Sequence, residues 1–459
     1  MRRILWFRRD LRTTDNPLLS LEGEVLPIFI FDTNILGRLS KDDRRVSYIF
    51  HHVMALKSAL QQLGLDLNIF YGDPVEIFNH LENIGFDEVA ASGDYDSYAK
   101  ERDTKVSMIL PFNYLHDTYI FTPEEIHKDD GTPYLVFTPY YNKAKAIFAS
   151  KHLHTYHLAK QTLLNASYED LTVIEGETAR VLPLTLESLG FETNMPAIPT
   201  CEEKLHALEN KLADYAQDRD YPAIDATSDL SLEVRFGVLG IRELLRFLVD
   251  QKKRGIDTEP FFRQLVFRDF YASVLYHFPT LAWENYKYPF NGIPDEKKFE
   301  AFCTGQIGVP IVDAGIRELL QTGQMHNRVR MICASFLTKD LLLPWQWGES
   351  FFAKHLLDYD AASNILSWQW SAGTGIDPQP YFRIFNPWLQ SKKFDRDAIY
   401  IKKWVPELIN LPPKQIHDET FMLSYQIENY PRPMVVHKEA ANKALAYFKH
   451  KLSRGANHA

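Results

Sequence analysis

The chain has little sulfur chemistry to offer. Its three cysteines, Cys201, Cys303 and Cys333, are scattered, odd in number and form no CxxC pair. That excludes a disulfide framework, a four-cysteine zinc site or a four-cysteine iron–sulfur cluster made by this chain alone. A reducing, cytoplasmic setting is the expectation. Long apolar runs are missing too: none approaches the roughly 20 residues of a membrane span. The opening "MRRILWFRRD" returns to charge too soon for a signal peptide. A soluble protein with no membrane partner is expected. No G-x-G-x-x-G follows the first predicted strand, so the nicotinamide dinucleotide fingerprint is absent. With a net charge of −9, nucleic acid would have to be met by a local basic patch. His355 lies three residues before Asp358 and could share a metal on a helix, but nothing nearby completes a ligand set; no metal site is read.

Aromatics are plentiful, at 13 % of the residues, which allows ring-stacking on a cofactor or base beyond core packing. Residues 1–130 alternate apolar strand candidates, "ILWFR" (4–8), "VLPIFIF" (25–31), "LNIFY" (67–71) and "EVAAS" (88–92), with amphipathic stretches at 46–64 and 74–85. This predicts an α/β, Rossmann-like parallel-sheet domain. Residues 131–200, punctuated by Pro183, Pro196 and Pro199, read as an interdomain linker. From 201 to 459 helical patterns dominate, predicting an all-helical domain.

Several segments could carry chemistry. Thr227, Ser228 and Ser231 set three hydroxyls directly before "LEVRFG". Such a helix start can cap its own N–H groups or cradle phosphate. In "QMHNRVRM", Asn327, Arg330 and Met331 share one helical face, while His326 and Arg328 point elsewhere. A capped, partly solvated helix start is the plain alternative. Asp358 and Asp360 precede Asn364, Trp368 and Trp370; the acids could form a turn and a helix cap, and Arg330 is a candidate partner for a buried carboxylate. The stretch 381–404 sets six basic residues against two acidic ones, interleaved with aromatics, a pattern suited to nucleic acid or to a solvated face.

In order and spacing, "WFRRDLRTTDNPLL", "YPAIDATSDLS", "GVPIVDAGIRELLQTGQMHNRVRMICASFLTKDLL" and "WQWSAGTGIDPQPYFRIFNP" resemble the photolyase/cryptochrome flavoprotein family over nearly the whole chain. The resemblance implies an N-terminal α/β antenna domain, a linker and a helical FAD-binding domain. It implies FAD contacts by Tyr215, Thr227, Ser228, Asp229, Leu230, Ser231, Arg330, Asp358, Tyr359, Asp360 and Asn364, with Arg330 paired to Asp358 and Asn364 facing flavin N5. Trp370 matches a stacking wall for a flipped lesion, and Asn327 and Met331 match contacts to its bases. Arg219, Gln264, Phe267, Arg268, Arg328 and Gln390 match DNA-facing positions, and Trp345 and Trp368 match electron-transfer tryptophans. The implied activity is light-driven repair of cyclobutane pyrimidine dimers in UV-damaged DNA by a monomeric lyase. Enzymes for the (6-4) photoproduct place histidines where Asn327 and Met331 stand here.

Four departures qualify the match. Gln264 stands where cyclobutane-dimer enzymes usually have Glu, and Phe267 where they usually have Trp. The usual surface Trp of the photoreduction chain is missing, with Phe290 nearest in alignment and Tyr286, Tyr288 or Trp347 as other relays. A second, antenna chromophore is expected, but "DYDSYAKERD" does not identify it, since Lys100 occupies the position that usually supplies an acid for folate. The rival readings are a cryptochrome-like blue-light receptor without repair activity and an ordinary flavin oxidoreductase, which would need the nicotinamide site that is absent.

Overall fold

The computed structural model describes residues 1–164, 170–176, 178–195 and 198–455; Pro196, one of the linker prolines, lies outside them. The chain divides into two compact units. One comprises Met1–Pro133, Tyr140–Asn210 and Ser228–His277; the other comprises Tyr134–Pro139, Lys211–Thr227 and Phe278–Ala459.

The first unit is built on strands β1 (Arg2–Phe7), β2 (Gly23–Asp32), β3 (Asn68–Gly72), β4 (Glu88–Ser92), β5 (Phe112–Leu115), β6 (Gln161–Leu163), β7 (Leu171–Glu175) and β8 (Thr178–Leu182). Their order is β5-β4-β1-β2-β3-β7-β8, with β6 beside the start of β2. Pairing is parallel from β5 through β7, and β8 returns antiparallel. The continuous apolar runs follow from burial on both faces. In β1, Leu5 and Phe7 pack with Val46, Val53, Leu56 and Leu60 of the helix Arg44–Gln62, while Ile4 and Trp6 pack with Ile77, Phe78 and Leu81 of Pro74–Glu82. Each such side chain contributes about 1.5–3 kcal/mol on burial.

The stretch expected to be only a linker carries a helix, Phe137–Ile147, and three strands that extend the sheet. These strands are three to five residues long, too short for a period-2 pattern to stand out. A second difference concerns the helices Ile241–Lys253 and Glu259–His277, which belong to the sheet's unit. Buried charge fastens them there. Asp117 accepts from Arg242 at 2.5 Å and Arg12 at 2.7 Å, and Asp269 accepts from the Ile120 and Phe121 N–H groups at 2.8 and 3.0 Å. Burial raises the Asp269 carboxyl to about 7. Contacts of this kind join residues more than a hundred apart and leave no local sequence pattern.

The second unit is helical. Its Pro310–Thr322 and Asn327–Ser335 helices approach closely at Gly315, where a Cβ would lie 2.4 Å from Val329 Cγ1 and 3.0 Å from Cys333 Sγ. The helix Trp345–His355 meets Ala361–Ala372 at Gly348, where a Cβ would lie 2.1 Å from the Trp368 ring. Glycine is therefore required for Trp368 to sit fully buried between these helices.

Candidate flavin and lesion site

Within the helical unit, the Asn327–Ser335 helix begins at His326, whose imidazole Nδ1 accepts the Arg328 N–H at 3.2 Å. Burial pushes this imidazole down to about 4, which keeps it neutral and able to cap. One turn on, Arg330 donates through Nε to the Met325 carbonyl at 2.7 Å and through one Nη to both Asp358 oxygens at 3.1 Å. The expected Arg330–Asp358 pair is present. On the same face, the amide of the exposed Asn327 reaches Met331 Sδ at 3.9 Å. One turn of helix thus offers a charged pair and, beside it, a polar–thioether pair.

Arg328 departs from that face, donating to Asp220 at 2.7 Å with its guanidinium 4.5 Å from the Phe394 ring centre. Arg219 also lies 4.0 Å from Asp220 and 5.3 Å from the buried Tyr215 ring. Asp220 therefore holds Arg328 and lies near Arg219, two of the three arginines expected to face DNA. An aspartate in a charged "DRDY" run gave no sign of this role. Gln390 is half-buried on the Pro387–Phe394 helix, whose Lys392 and Lys393 are exposed.

The expected helix cap is found at Asp360, which accepts the Ser363 N–H at 3.1 Å and starts the Ala361–Ala372 helix. Its neighbour Tyr359 is half-buried. The buried Asn364 donates through Nδ2 to Glu349 twice, to Oε1 at 2.9 Å and to the main-chain oxygen at 3.1 Å. Glu349, which the sequence reasoning missed, is held above the ordinary glutamate range by burial. Trp368 is buried against Phe352 (ring centroids 4.9 Å) and Trp345 donates to Asn285 at 2.8 Å, whereas Trp370 is half-buried. Phe290 is buried and stacked on Tyr288 at 5.1 Å, so it is a core ring; Tyr286 is exposed. Gln369 ties the helix to the Leu281 and Glu284 carbonyls. Thr227 belongs to this unit, its carbonyl accepting from Lys211 at 3.2 Å.

Within the sheet's unit, Asp229 has φ +53° and Leu230 N–H donates to Ser228 Oγ at 3.3 Å. The helix Ser231–Phe236 starts at Leu230 without a side-chain cap, and Ser231 is exposed. Ser228 therefore closes the turn itself, and Ser231 is left exposed at the helix start. Gln264 donates to the Pro260 carbonyl at 3.4 Å, and Phe267 meets Tyr271 edge-on at 4.8 Å. Arg268 is turned inward, donating to the Thr118 carbonyl at 2.7 Å over the Tyr119 ring at 4.4 Å.

Within the helical unit, the arginine–carboxylate pair and a buried amide whose carbonyl end takes no part in its two side-chain bonds fit a redox ring; within the sheet's unit, the Ser228–Ser231 turn has the chemistry to meet a phosphate. The comparisons with known proteins agree. Residues 3–160 match the family model for DNA photolyase, and residues 261–450 match that for the FAD binding domain of DNA photolyase. The deoxyribodipyrimidine photo-lyase of Synechococcus sp. is 36 % identical over 95 % of this chain and 93 % of its own. The chain belongs to the DNA photolyase family. Among solved structures, a bacterial class III photolyase from Agrobacterium tumefaciens superimposes with a TM-score of 0.85 at 32 % identity, covering 98 % of both chains. An archaeal photolyase from Sulfolobus tokodaii, solved with two FAD molecules that imply a light-harvesting cofactor, gives 0.83 at 29 % identity over 98 % of this chain and 100 % of its own. This photolyase-family chain thus carries the FAD-binding domain and the parallel-sheet domain of its relatives. Among the described residues, no helix is long and apolar enough to cross a membrane.

Proposed function

We propose that this chain repairs cyclobutane pyrimidine dimers in DNA, using light absorbed by a bound, reduced FAD. The cofactor supplies a photoexcited electron that splits the cyclobutane ring and then returns, so no net oxidation occurs. The protein supplies geometry. Stacking hides the lesion in the duplex, and flipping it out costs least where pairing is already broken. Arg219, Arg328 and Gln390 take the DNA side, Trp370 gives the flipped dimer a stacking wall, and Asn327 and Met331 meet its bases. Gln264 donates an N–H to a thymine carbonyl, and Phe267 provides an aromatic wall of smaller area than Trp.

On the cofactor side, Arg330, Asp358, Asp360, Tyr215 and Tyr359 would hold the flavin and its ribityl chain, and Asn364 would meet its N5 edge. The Thr227–Ser231 run serves the pyrophosphate. A neutral amide at N5 suits the fully reduced flavin because it offers a hydrogen bond without an acidic proton. Trp345 and Trp368 conduct electrons during photoreduction. A second, light-harvesting chromophore is part of the proposal, by analogy with the Sulfolobus protein.

The observation that carries this reading is the Asn327–Ser335 helix, which pairs Arg330 with Asp358 and sets Asn327 beside Met331 on one face. Gln264 and Phe267 favour the receptor reading, since neither is the residue cyclobutane-dimer enzymes usually carry. Purification in the dark followed by flavin quantification, then transformation of UV-irradiated plasmid treated in light or darkness, separates the two. Bound FAD with light-dependent recovery of transformants supports repair; bound FAD with none supports the receptor.

A further inference from the structure

Lys204 lies on the Cys201–Lys211 helix, outside every segment that carries the family resemblance. Its side chain is 5 % exposed, yet its ammonium makes two definite bonds: to Glu233 Oε1 at 2.7 Å and to the main-chain oxygen of Asp229 at 3.0 Å. Glu233 is itself buried, in the first turn of the helix Ser231–Phe236. Asp229 is the residue at φ +53°, a left-handed conformation that non-glycine side chains adopt only when the surroundings hold it.

Stability alone does not call for this arrangement. A buried Lys–Glu pair can often be exchanged for apolar side chains without loss, because desolvation cancels much of the attraction. An apolar pair cannot donate a hydrogen bond to the Asp229 carbonyl. The carbonyl direction fixes the peptide plane between Asp229 and Leu230, and with it the orientation of the Leu230 N–H that donates to Ser228 Oγ. One buried ammonium therefore sets the turn that carries Ser228 and Ser231.

We infer that Lys204 is a positioning residue for cofactor binding: it locks the Ser228–Ser231 turn into its left-handed shape, so that the hydroxyls are presented to the FAD pyrophosphate before the cofactor arrives. Glu233 keeps the ammonium correctly aimed. Lys204 does not touch the cofactor. This inference rests on the proposal that the hydroxyl run serves the pyrophosphate.

The test uses the full chain stripped of flavin and titrated with FAD, with thermal unfolding of each apoprotein in parallel. Lys204→Met combined with Glu233→Gln removes the lock without leaving a buried charge. FAD affinity should fall on the order of tenfold, the loss of one charge-assisted hydrogen bond, while the apoprotein melts within a few degrees of the parent. Unchanged affinity in the double variant overturns the inference, as does a loss of affinity that comes with a matching fall in the apoprotein's melting temperature. If the double variant fails to fold, Lys204→Arg, which keeps a donor but changes its reach, is titrated instead, and parent-like affinity then counts against the lock. Ser228→Ala with Ser231→Ala tests the parent reading separately: unchanged affinity there removes the hydroxyl run from the cofactor site, whatever Lys204 does.

Discussion

Asn364 gives both of its side-chain hydrogen bonds to one residue, Glu349, and gives both from the amide nitrogen. Glu349 thereby decides which end of the amide faces away. The carbonyl end is the one presented, and it suits the N–H that a fully reduced flavin carries at N5. Replacing Glu349 by Ala removes the side-chain acceptor and leaves only the main-chain one, so the amide is held less firmly and the reduced cofactor should be lost to air on the order of tenfold faster, as for one hydrogen bond. The flavin absorption after anaerobic reduction and mixing with oxygen reads this directly. An unchanged rate would mean that Glu349 does not hold the amide.

Arg330 and Asp358 are both largely enclosed, at 28 % and 12 % side-chain exposure. Arg330→Met leaves a poorly solvated carboxylate without its partner and frees the Met325 carbonyl. A cost of about 2–3 kcal/mol is expected, below that of a fully buried pair because solvent still screens this one. Arg330→Lys should lie in between, since it keeps charge but not the guanidinium's geometry. Urea unfolding of the apoproteins measures the cost.

His326 gives the fold a pH dependence of defined sign. Its imidazole titrates at about 4 when folded and near 6.5 when unfolded. Between these values the unfolded chain binds more protons, so stability from this group is complete above about 6.5 and is lost as pH falls toward 4. His326→Asn retains a side-chain cap that does not titrate. The variant should lose less stability than the parent between pH 6.5 and 4.5, as measured by denaturant midpoints. Parallel loss in both would assign the acid sensitivity elsewhere.

Gln264 can donate a hydrogen bond to a thymine carbonyl but cannot deliver a proton to it. Gln264→Glu should raise the repair yield per absorbed photon, by less than about tenfold, because acid assistance adds to a reaction that already proceeds. An unchanged or lower yield would show that the glutamine is adapted to its site.

Much of this was legible in the sequence because the relevant signals are local. The strands β1 to β4 lie within about two residues of their expected limits, since runs such as "VLPIFIF" need only be buried on both faces. The faces of the Asn327–Ser335 helix and the cap at Asp360 followed from spacing in the same way. What was not legible depends on long-range pairing. Glu349 orients Asn364 from another helix, Asp220 gathers Arg328 from 108 residues away, and Lys204 reaches Asp229 across 25. Acids and lysines on a polar face look alike until the fold selects one of them.

The central claim is that this chain repairs cyclobutane dimers and not merely senses light. Purified, chemically reduced protein should be given two defined oligonucleotides, one with a cyclobutane thymine dimer and one with a (6-4) photoproduct, in blue light and in darkness. Restoration of the cyclobutane substrate alone, and only in light, is the predicted result. Protein that holds FAD yet restores neither lesion would contradict the account and favour a blue-light receptor.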